Sequence, residues 1–404
     1  MNHRVELIYF NAGGGHRAAA QALEQVMSAQ ERPWTVRLVN LMDVLDPSGA
    51  FHRLTGMAPE DLYNLRLKRG WTLGFKQELK LLQGMIRLAH PSLMRSLQSH
   101  WHAGEPDLVV SLVPNFNRAM CQSLHAARPG VPFVTVMTDI ADLPPHFWIE
   151  PGQRQHLVCG SAKAAIQAFE AGYTPEQVHL TSGMILRPSF HHLAPLDREA
   201  GRRALGLDPY RPTGVVMFGG QGSAQMSGIA KGLDEVQLIL MCGHNRALAQ
   251  RLRAMRRSAP HAVIGFTPDV CEPMRLGDFF IGKPGPGSLS EAIHLGLPVL
   301  TFLNAWTMPQ ERYNAQWVRD EGLGIVVATT RAIPEAAAQL IGKLERYQTR
   351  VRRSENRAVF EVTDILAGLL ASQSAPARAG AEGPPVLATG IGTGTGTGWG
   401  TVSG

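Results

Sequence analysis

Three glycine-rich turns and one amide–acid pair hold the residues of this chain best suited to chemistry. The first turn reads Asn11-Ala12-Gly13-Gly14-Gly15-His16-Arg17 and sits between an apolar run at 5–10 and a helix-like stretch at 18–27. Consecutive glycines (Gly13, Gly14, Gly15) let backbone approach a ligand closely, and N–H groups at a helix N-terminus suit an anion. His16, beside that anion site and with an imidazole pKa near neutrality, suits a general base. The alternative is an ordinary strand-to-helix turn with an incidental histidine. The spacing is not G-x-G-x-x-G, and no acidic residue ends the next apolar run at 36–41, so dinucleotide binding is disfavoured.

The second turn, Gly282-Lys283-Pro284-Gly285-Pro286-Gly287-Ser288-Leu289-Ser290-Glu291, again joins an apolar run to a helix pattern. Gly287 and Ser288 offer backbone donors to a diphosphate, and Glu291, one turn into the helix, can accept from two vicinal hydroxyls such as those of a ribose. Glu291 reads equally as a first-turn carboxylate favoured by the helix dipole. Lys283 precedes the turn and no Gly-Lys-Ser/Thr order follows, so this is not a nucleoside triphosphatase loop. The pair Gln310 and Glu311 follows the apolar run 299–303; an amide and a carboxylate can meet the several hydroxyls of a pyranose, although polar residues also open many solvated helices. The third turn, Gly219-Gly220-Gln221-Gly222-Ser223, either wraps the diphosphate from the other side or is a flexible turn.

These turns need sheets to hold them. Apolar runs at 5–10, 36–41, 108–112, 133–138 and 157–159 alternate with helix-like segments, and after the stretch 187–212 the pattern restarts at 215–218, 236–242, 279–282, 299–303 and 325–327. Alternation of this kind predicts α/β architecture with parallel sheets, and two such halves leave a cleft between their strand-end loops. The expected divisions are 1–190, 191–345, a helical return at 346–372 within a helical stretch starting at Pro334, and a Gly/Ala/Pro/Thr-rich tail at 373–404 predicted to be disordered.

Composition narrows the setting. With 404 residues, 44% hydrophobic, the chain is long enough for two cores. Its apolar runs fall well short of the ~20 residues that span a bilayer, and residues 2–4 lead straight into a strand without an apolar leader, so a cytosolic protein is expected. Cys121, Cys159, Cys242 and Cys271 have no paired metal-ligand spacing and are expected to be reduced and mostly buried. The net charge of +6 calls for an anionic partner without choosing among nucleic acid, nucleotide and anionic lipid.

The order Gly13-Gly14-Gly15-His16-Arg17, Pro106-Asp107, Thr138-Asp139, Gly183 with Arg187-Pro188-Ser189-Phe190, Cys242-Gly243, Gly265-Phe266, Lys283-Pro284-Gly285-Pro286-Gly287 and Gln310-Glu311 with Asn314 resembles the monogalactosyldiacylglycerol synthase family of glycosyltransferases. The peptidoglycan N-acetylglucosaminyltransferases are more distant relatives. The resemblance covers about residues 5–350 and departs at Pro309, where the family commonly has glycine, and at Ile185-Leu186, where many relatives carry a proline. It implies two facing Rossmann-like domains of the GT-B type, a uridine diphosphate sugar held mainly by the second, a lipid acceptor of diacylglycerol type held by the first, and a final helix crossing back. It further implies His16 as candidate base with Asp139 as a second candidate, Gly287, Ser288 and Glu291 on diphosphate and ribose, and Gln310 and Glu311 on the hexose.

The expected reaction is an inverting displacement in which His16 deprotonates the acceptor hydroxyl. Backbone donors, including those of Gly219, Gly220 and Gln221, receive the charge of the departing diphosphate. No two aspartates stand two residues apart, so the Asp-x-Asp metal site of many glycosyltransferases is missing and no essential metal or cofactor is expected. The stretch 62–95 carries Arg66, Lys68, Arg69, Lys76, Lys80, Arg87 and Arg95 among Trp71, Phe75, Leu79, Leu82, Met85, Ile86 and Leu93. A basic amphipathic segment of this sort predicts peripheral attachment to an anionic membrane surface, on the cytoplasmic inner face; a pair of packed surface helices is the alternative. The expected partners are therefore a UDP-sugar, a lipid acceptor and the membrane, and not nucleic acid. A nucleotide-sugar epimerase or hydrolase of similar fold, or a non-catalytic nucleotide-sugar or lipid binder, is the rival reading.

Overall fold

A computed structural model describes residues 2–11, 14–46, 75–143 and 146–374, with the side chains of 75–78 and 374 excepted. Gly13, residues 62–74 of the basic stretch and the tail from 375 onward lie outside the described residues.

Two six-stranded sheets form, and every strand pairing in both is parallel. The first comprises β1 (His3–Tyr9), β2 (Trp34–Asn40), β3 (Leu108–Ser111), β4 (Phe133–Val136), β5 (His156–Cys159) and β6 (Val178–Leu180), in the order β2-β1-β3-β4-β5-β6. The second comprises β7 (Thr213–Met217), β8 (Gln237–Met241), β9 (His261–Ile264), β10 (Phe279–Gly282), β11 (Val299–Phe302) and β12 (Gly324–Val327), in the order β12-β11-β10-β7-β8-β9. Central strands such as LVVS, FVTV and FFIG are buried along their whole length. This is the near-continuous apolarity of a parallel sheet covered by helices on both faces.

Strand order reverses between β1 and β3 in the first sheet and between β7 and β10 in the second. Loops leaving neighbouring strands diverge to opposite faces there and open a crevice at the carboxyl edge, where ligands of such sheets bind. Register fixes the second crevice closely. Gly282 pairs with Met217, and a Cβ on Gly282 would stand 2.4 Å from the Met217 carbonyl, so the turns beginning at 218 and 283 leave side by side.

The helical stretch expected from Pro334 onward is three helices, Ile333–Gly342, Leu344–Val351 and Ala358–Ser374. Leu344, Tyr347 and Val351 pack with the second sheet's cores. Val359, Val362, Leu366 and Leu370 instead pack with Ala19, Ala20, Leu23 and Met27 of the Gly15–Ala29 helix. Asn356 secures the crossing, its Nδ2 donating to the Met184 carbonyl at 2.9 Å. All four cysteines are free and buried. Among the described residues no helix is long and apolar enough to cross a membrane.

Candidate active site

At the first crevice the Gly15–Ala29 helix begins with Gly14 in the left-handed region, φ 79°, and no side chain caps its N-terminus. A Cβ on Gly14 or Gly15 would meet nothing within 4 Å, so no neighbouring group crowds the backbone at this uncapped helix start, where an anion could approach. His16, in the first turn, places Nδ1 3.1 Å from the Thr138 hydroxyl, and its ring lies 5.9 Å from that of Trp148. The side chain is only partly shielded from solvent by area, yet it is packed deeply enough that burial lowers its pKa to about 4, a backbone interaction with Leu112 opposing this in part. The near-neutral imidazole expected from sequence is thus a weakly basic one, uncharged at pH 7.

Asp139 follows β4 and is buried, 9% exposed, with Oδ2 accepting from Trp148 Nε1 at 2.9 Å. Burial raises its pKa to about 7; the Trp148 hydrogen bond opposes the rise, Glu311 adds to it and Lys283 opposes it. Those last two residues belong to the second sheet's loops, so the carboxyl edges of the two sheets confront each other across a cleft. Asp142 accepts from the Trp148 backbone N–H at 2.7 Å and is likewise raised to about 7, chiefly by burial. Trp148 therefore fixes two carboxyl groups and packs against the histidine.

On the facing edge, Pro286 opens the Pro286–His294 helix, where its missing N–H costs nothing, and Gly285 takes the N-cap position. A Cβ on Gly287 would meet nothing within 4 Å, and Ser288 Oγ lies 3.4 Å from the Gly285 carbonyl. The Glu291 carboxylate has no hydrogen-bond partner among the described residues; burial raises its pKa to about 7, with only Arg187 opposing. By area the residue is only partly shielded from solvent, so the carboxylate stays open to accept from a ligand's hydroxyls.

Glu311 is buried and bonded to Lys283 Nζ at 2.7 Å. Gln310, in the short 3-10 turn Pro309–Glu311, is buried with its Oε1 lacking a partner among the described residues. Asn314 ties this segment to the glycine turn through Nδ2 and the Pro284 carbonyl, 2.8 Å apart.

The loop 219–223 is a built structure and not a loose turn. Gly219 (φ 71°) and Gly222 (φ 60°) take left-handed backbone, His244 N donates to the Gly220 carbonyl at 2.8 Å, and a Cβ on Gly243 would fall 2.2 Å from that oxygen. Gly219 and Gly220 have open space where side chains would be, and Gln221 receives a 3.4 Å contact at its carbonyl from Asn245 Nδ2. Beside them an exposed Phe266 stacks on His244, with centroids 4.0 Å apart at 19°, forming an aromatic platform.

Sequence reasoning passed over Trp148, Asp142, the pairing role of Lys283, and the His244–Phe266 platform. Of these, only Gly265-Phe266 and Lys283 stood inside motifs already noted. Partners such as Trp148 announce themselves only once the fold brings them against Asp139. Among the described residues no group of three or more His, Cys, Asp or Glu side chains could hold a metal ion.

Residues 215–368 match the model of the glycosyltransferase family 28 C-terminal domain. Over 391 residues the chain is 30% identical to the probable monogalactosyldiacylglycerol synthase 2, chloroplastic, of Oryza sativa subsp. japonica, covering 89% of this chain and 79% of that relative. The chain belongs to the monogalactosyldiacylglycerol synthase family. It is a glycosyltransferase, and its two sheets have the GT-B arrangement. Among solved structures it is similar to the glycosyltransferase SnogD from Streptomyces nogalater, with a TM-score of 0.57 and 16% identity over 92% of this chain and 100% of that one. It is also similar to UDP-GlcNAc 2-epimerase from Neisseria meningitidis, with a TM-score of 0.56 and 13% identity over 90% of this chain and 100% of that one. Structural likeness at this identity carries the fold alone; membership among transferases rests on the sequence relative and not on the shape.

Proposed function

We propose that this enzyme transfers a hexose from a uridine diphosphate sugar to a diacylglycerol-type acceptor at a membrane surface, with inversion at the anomeric carbon. The observation that carries the reading is the set of groups opposed across the cleft: Asp139 and His16 on one edge, Lys283–Glu311 and Glu291 on the other. Residues 191–345 take the donor. Glu291 accepts from the ribose hydroxyls, and the N–H groups near Gly287, Ser288 and the Gly219-Gly220-Gln221 loop hold the diphosphate. The Phe266 face receives the base, and Gln310 with Glu311 meets the hexose. Residues 1–190 hold the acceptor.

Base strength decides which side chain takes the acceptor's proton. Burial raises the Asp139 carboxyl and lowers the His16 imidazole, which makes Asp139 the stronger base of the two. Asp139 is the base in this reading, and neutral His16 orients the hydroxyl. The acceptor oxygen bonds to the anomeric carbon, its proton passes to Asp139, and the anomeric C–O bond breaks with its electron pair leaving on the diphosphate. Helix N–H groups and Lys283 stabilise that charge.

The reading is tested by uridine diphosphate release from donor with and without diacylglycerol in vesicles, in the presence of EDTA. Release that depends on diacylglycerol and persists in EDTA is expected. Equal release without acceptor, or an epimerised sugar, would favour the hydrolase or epimerase reading, and loss of release restored by Mg²⁺ would contradict metal independence.

The membrane reading is a peripheral attachment to the cytoplasmic inner face. It is supported by the Phe75–Leu88 helix, which leaves Leu81, Leu82, Met85 and Leu88 exposed, the last 86% accessible, next to exposed Lys80, Arg87 and Arg95. Each cation near an anionic surface contributes ~1 kcal/mol, so replacing these three by Gln is expected to weaken vesicle binding roughly a hundredfold. Co-sedimentation with anionic vesicles at rising salt measures it: binding by wild type falls with salt. Equal sedimentation of both proteins would move the membrane surface elsewhere.

A further inference from the structure

The Phe75–Leu88 helix touches the active-site loop through one face. Leu79 is buried with Met137, Phe147 and Trp148. One turn on, at the i+4 position of the same face, Gln83 Nε2 lies 3.2 Å from Asn115 Oδ1 and 3.4 Å from the His146 carbonyl. Both of these residues have left-handed backbone, φ 67° at Asn115 and 52° at His146. Asn and His are among the residues other than glycine that enter this region most readily, and here Asn115 Oδ1 and the His146 carbonyl both meet the Gln83 amide. His146 precedes Phe147 and Trp148 in the chain, and Asn115 meets the same turn from the loop after β3. Asn115 N donates to the Phe147 carbonyl at 2.6 Å, and Asn117 Nδ2 donates to the Trp148 carbonyl at 3.1 Å. Trp148 in turn donates from Nε1 to Asp139 and from its backbone to Asp142.

We propose that Gln83 is a positioning residue: by bonding Asn115 and His146 it fixes the loop that presents the Trp148 indole to Asp139. It touches no reacting atom, and its effect reaches the reaction only through the Trp148–Asp139 hydrogen bond. The inference rests on Asp139 being the base. The indole N–H stabilises the Asp139 carboxylate, so loosening the loop destabilises the charged form and moves proton loss to higher pH.

The test compares pH profiles of kcat for wild type, Gln83→Met, which keeps length and loses the donor, and Gln83→Glu, whose carboxylate cannot donate. Trp148→Phe is the control. The expected result for both Gln83 variants is an acid limb moved up by about one pH unit, hence a loss of about tenfold in kcat below it. Turnover returns to the wild-type value well above the limb, and the donor KM is unchanged. Trp148→Phe should shift the limb in the same direction. A shift in Trp148→Phe with none in either Gln83 variant would overturn the role of Gln83. So would a loss of kcat equal at every pH, since that is the mark of general misfolding. If Trp148→Phe leaves the limb in place, Asp139 is not the base, and the inference falls with that reading.

Discussion

Asp139→Asn is expected to lower kcat by about two to four orders of magnitude, the range for a lost general base, with donor affinity near that of wild type. The amide keeps the shape and can still accept from Trp148, so the loss reports proton transfer and not packing. The same account fixes the pH dependence. A base works deprotonated, and burial holds Asp139 of the free enzyme at about 7, so wild-type kcat/KM should be level at high pH and fall about tenfold per unit as pH drops below about 7. Were His16 the base, the plateau would continue down toward its own value of about 4. His16→Ala should also reduce turnover, because the acceptor hydroxyl loses its orienting partner, yet it should leave the limb near 7 in place. Rates of Asp139→Asn within a few-fold of wild type, or a wild-type profile flat to pH 5, would remove Asp139 from the mechanism.

Glu291→Ala is expected to weaken uridine diphosphate binding by ~1.5–3 kcal/mol, about ten- to a hundredfold in Kd, because two ribose hydroxyls lose a charged acceptor. The side chain has no hydrogen-bond partner among the described residues, so its removal leaves no protein group stranded and thermal stability should hold. Burial has raised its pKa to about 7, and ribose hydroxyls favour the charged form. Wild-type affinity should therefore weaken as pH falls through about 7, and that part of the pH dependence should vanish in the variant. Calorimetry at pH 6, 7 and 8 measures both effects; equal affinity of wild type and variant at all three would place the ribose elsewhere.

Much of the fold was legible because buried parallel strands write themselves as short apolar runs. FFIG at Phe279–Gly282 is the same in sequence and structure, and the other nine expected strands shift by only one or two residues at their ends. The two strands passed over, Val178–Leu180 and His261–Ile264, are edge strands. Each is only three or four residues long, includes a histidine and has partly exposed positions, so neither forms a continuous apolar run. The helical stretch after Pro334 appeared continuous because its apolar spacing persists, although its faces serve different cores on either side of the break at 352–357.

The site divides in the same manner. Glycine turns are visible in sequence because only glycine meets the geometry, as at Gly219, Gly222 and Gly243, where positive φ or a backbone oxygen excludes a side chain. Electrostatic roles were less legible. In the proposed reading Asp139 takes the part of base that the sequence suggested for His16, because desolvation lowers an imidazole and raises a carboxyl, and neither effect is written in residue type. Lys283 lies 28 positions from Glu311 and Trp148 nine from Asp139, contacts that only the folded chain creates.

The central claim is an inverting transfer to a lipid hydroxyl, and the anomeric configuration of the product tests it most directly. Enzyme, an α-linked uridine diphosphate hexose and diacylglycerol vesicles would be incubated together, and the extracted lipid examined by mass spectrometry and by the anomeric proton coupling in NMR. The account predicts a hexosyl diacylglycerol with a β linkage; an α linkage, or free hexose with no glycolipid, would contradict it.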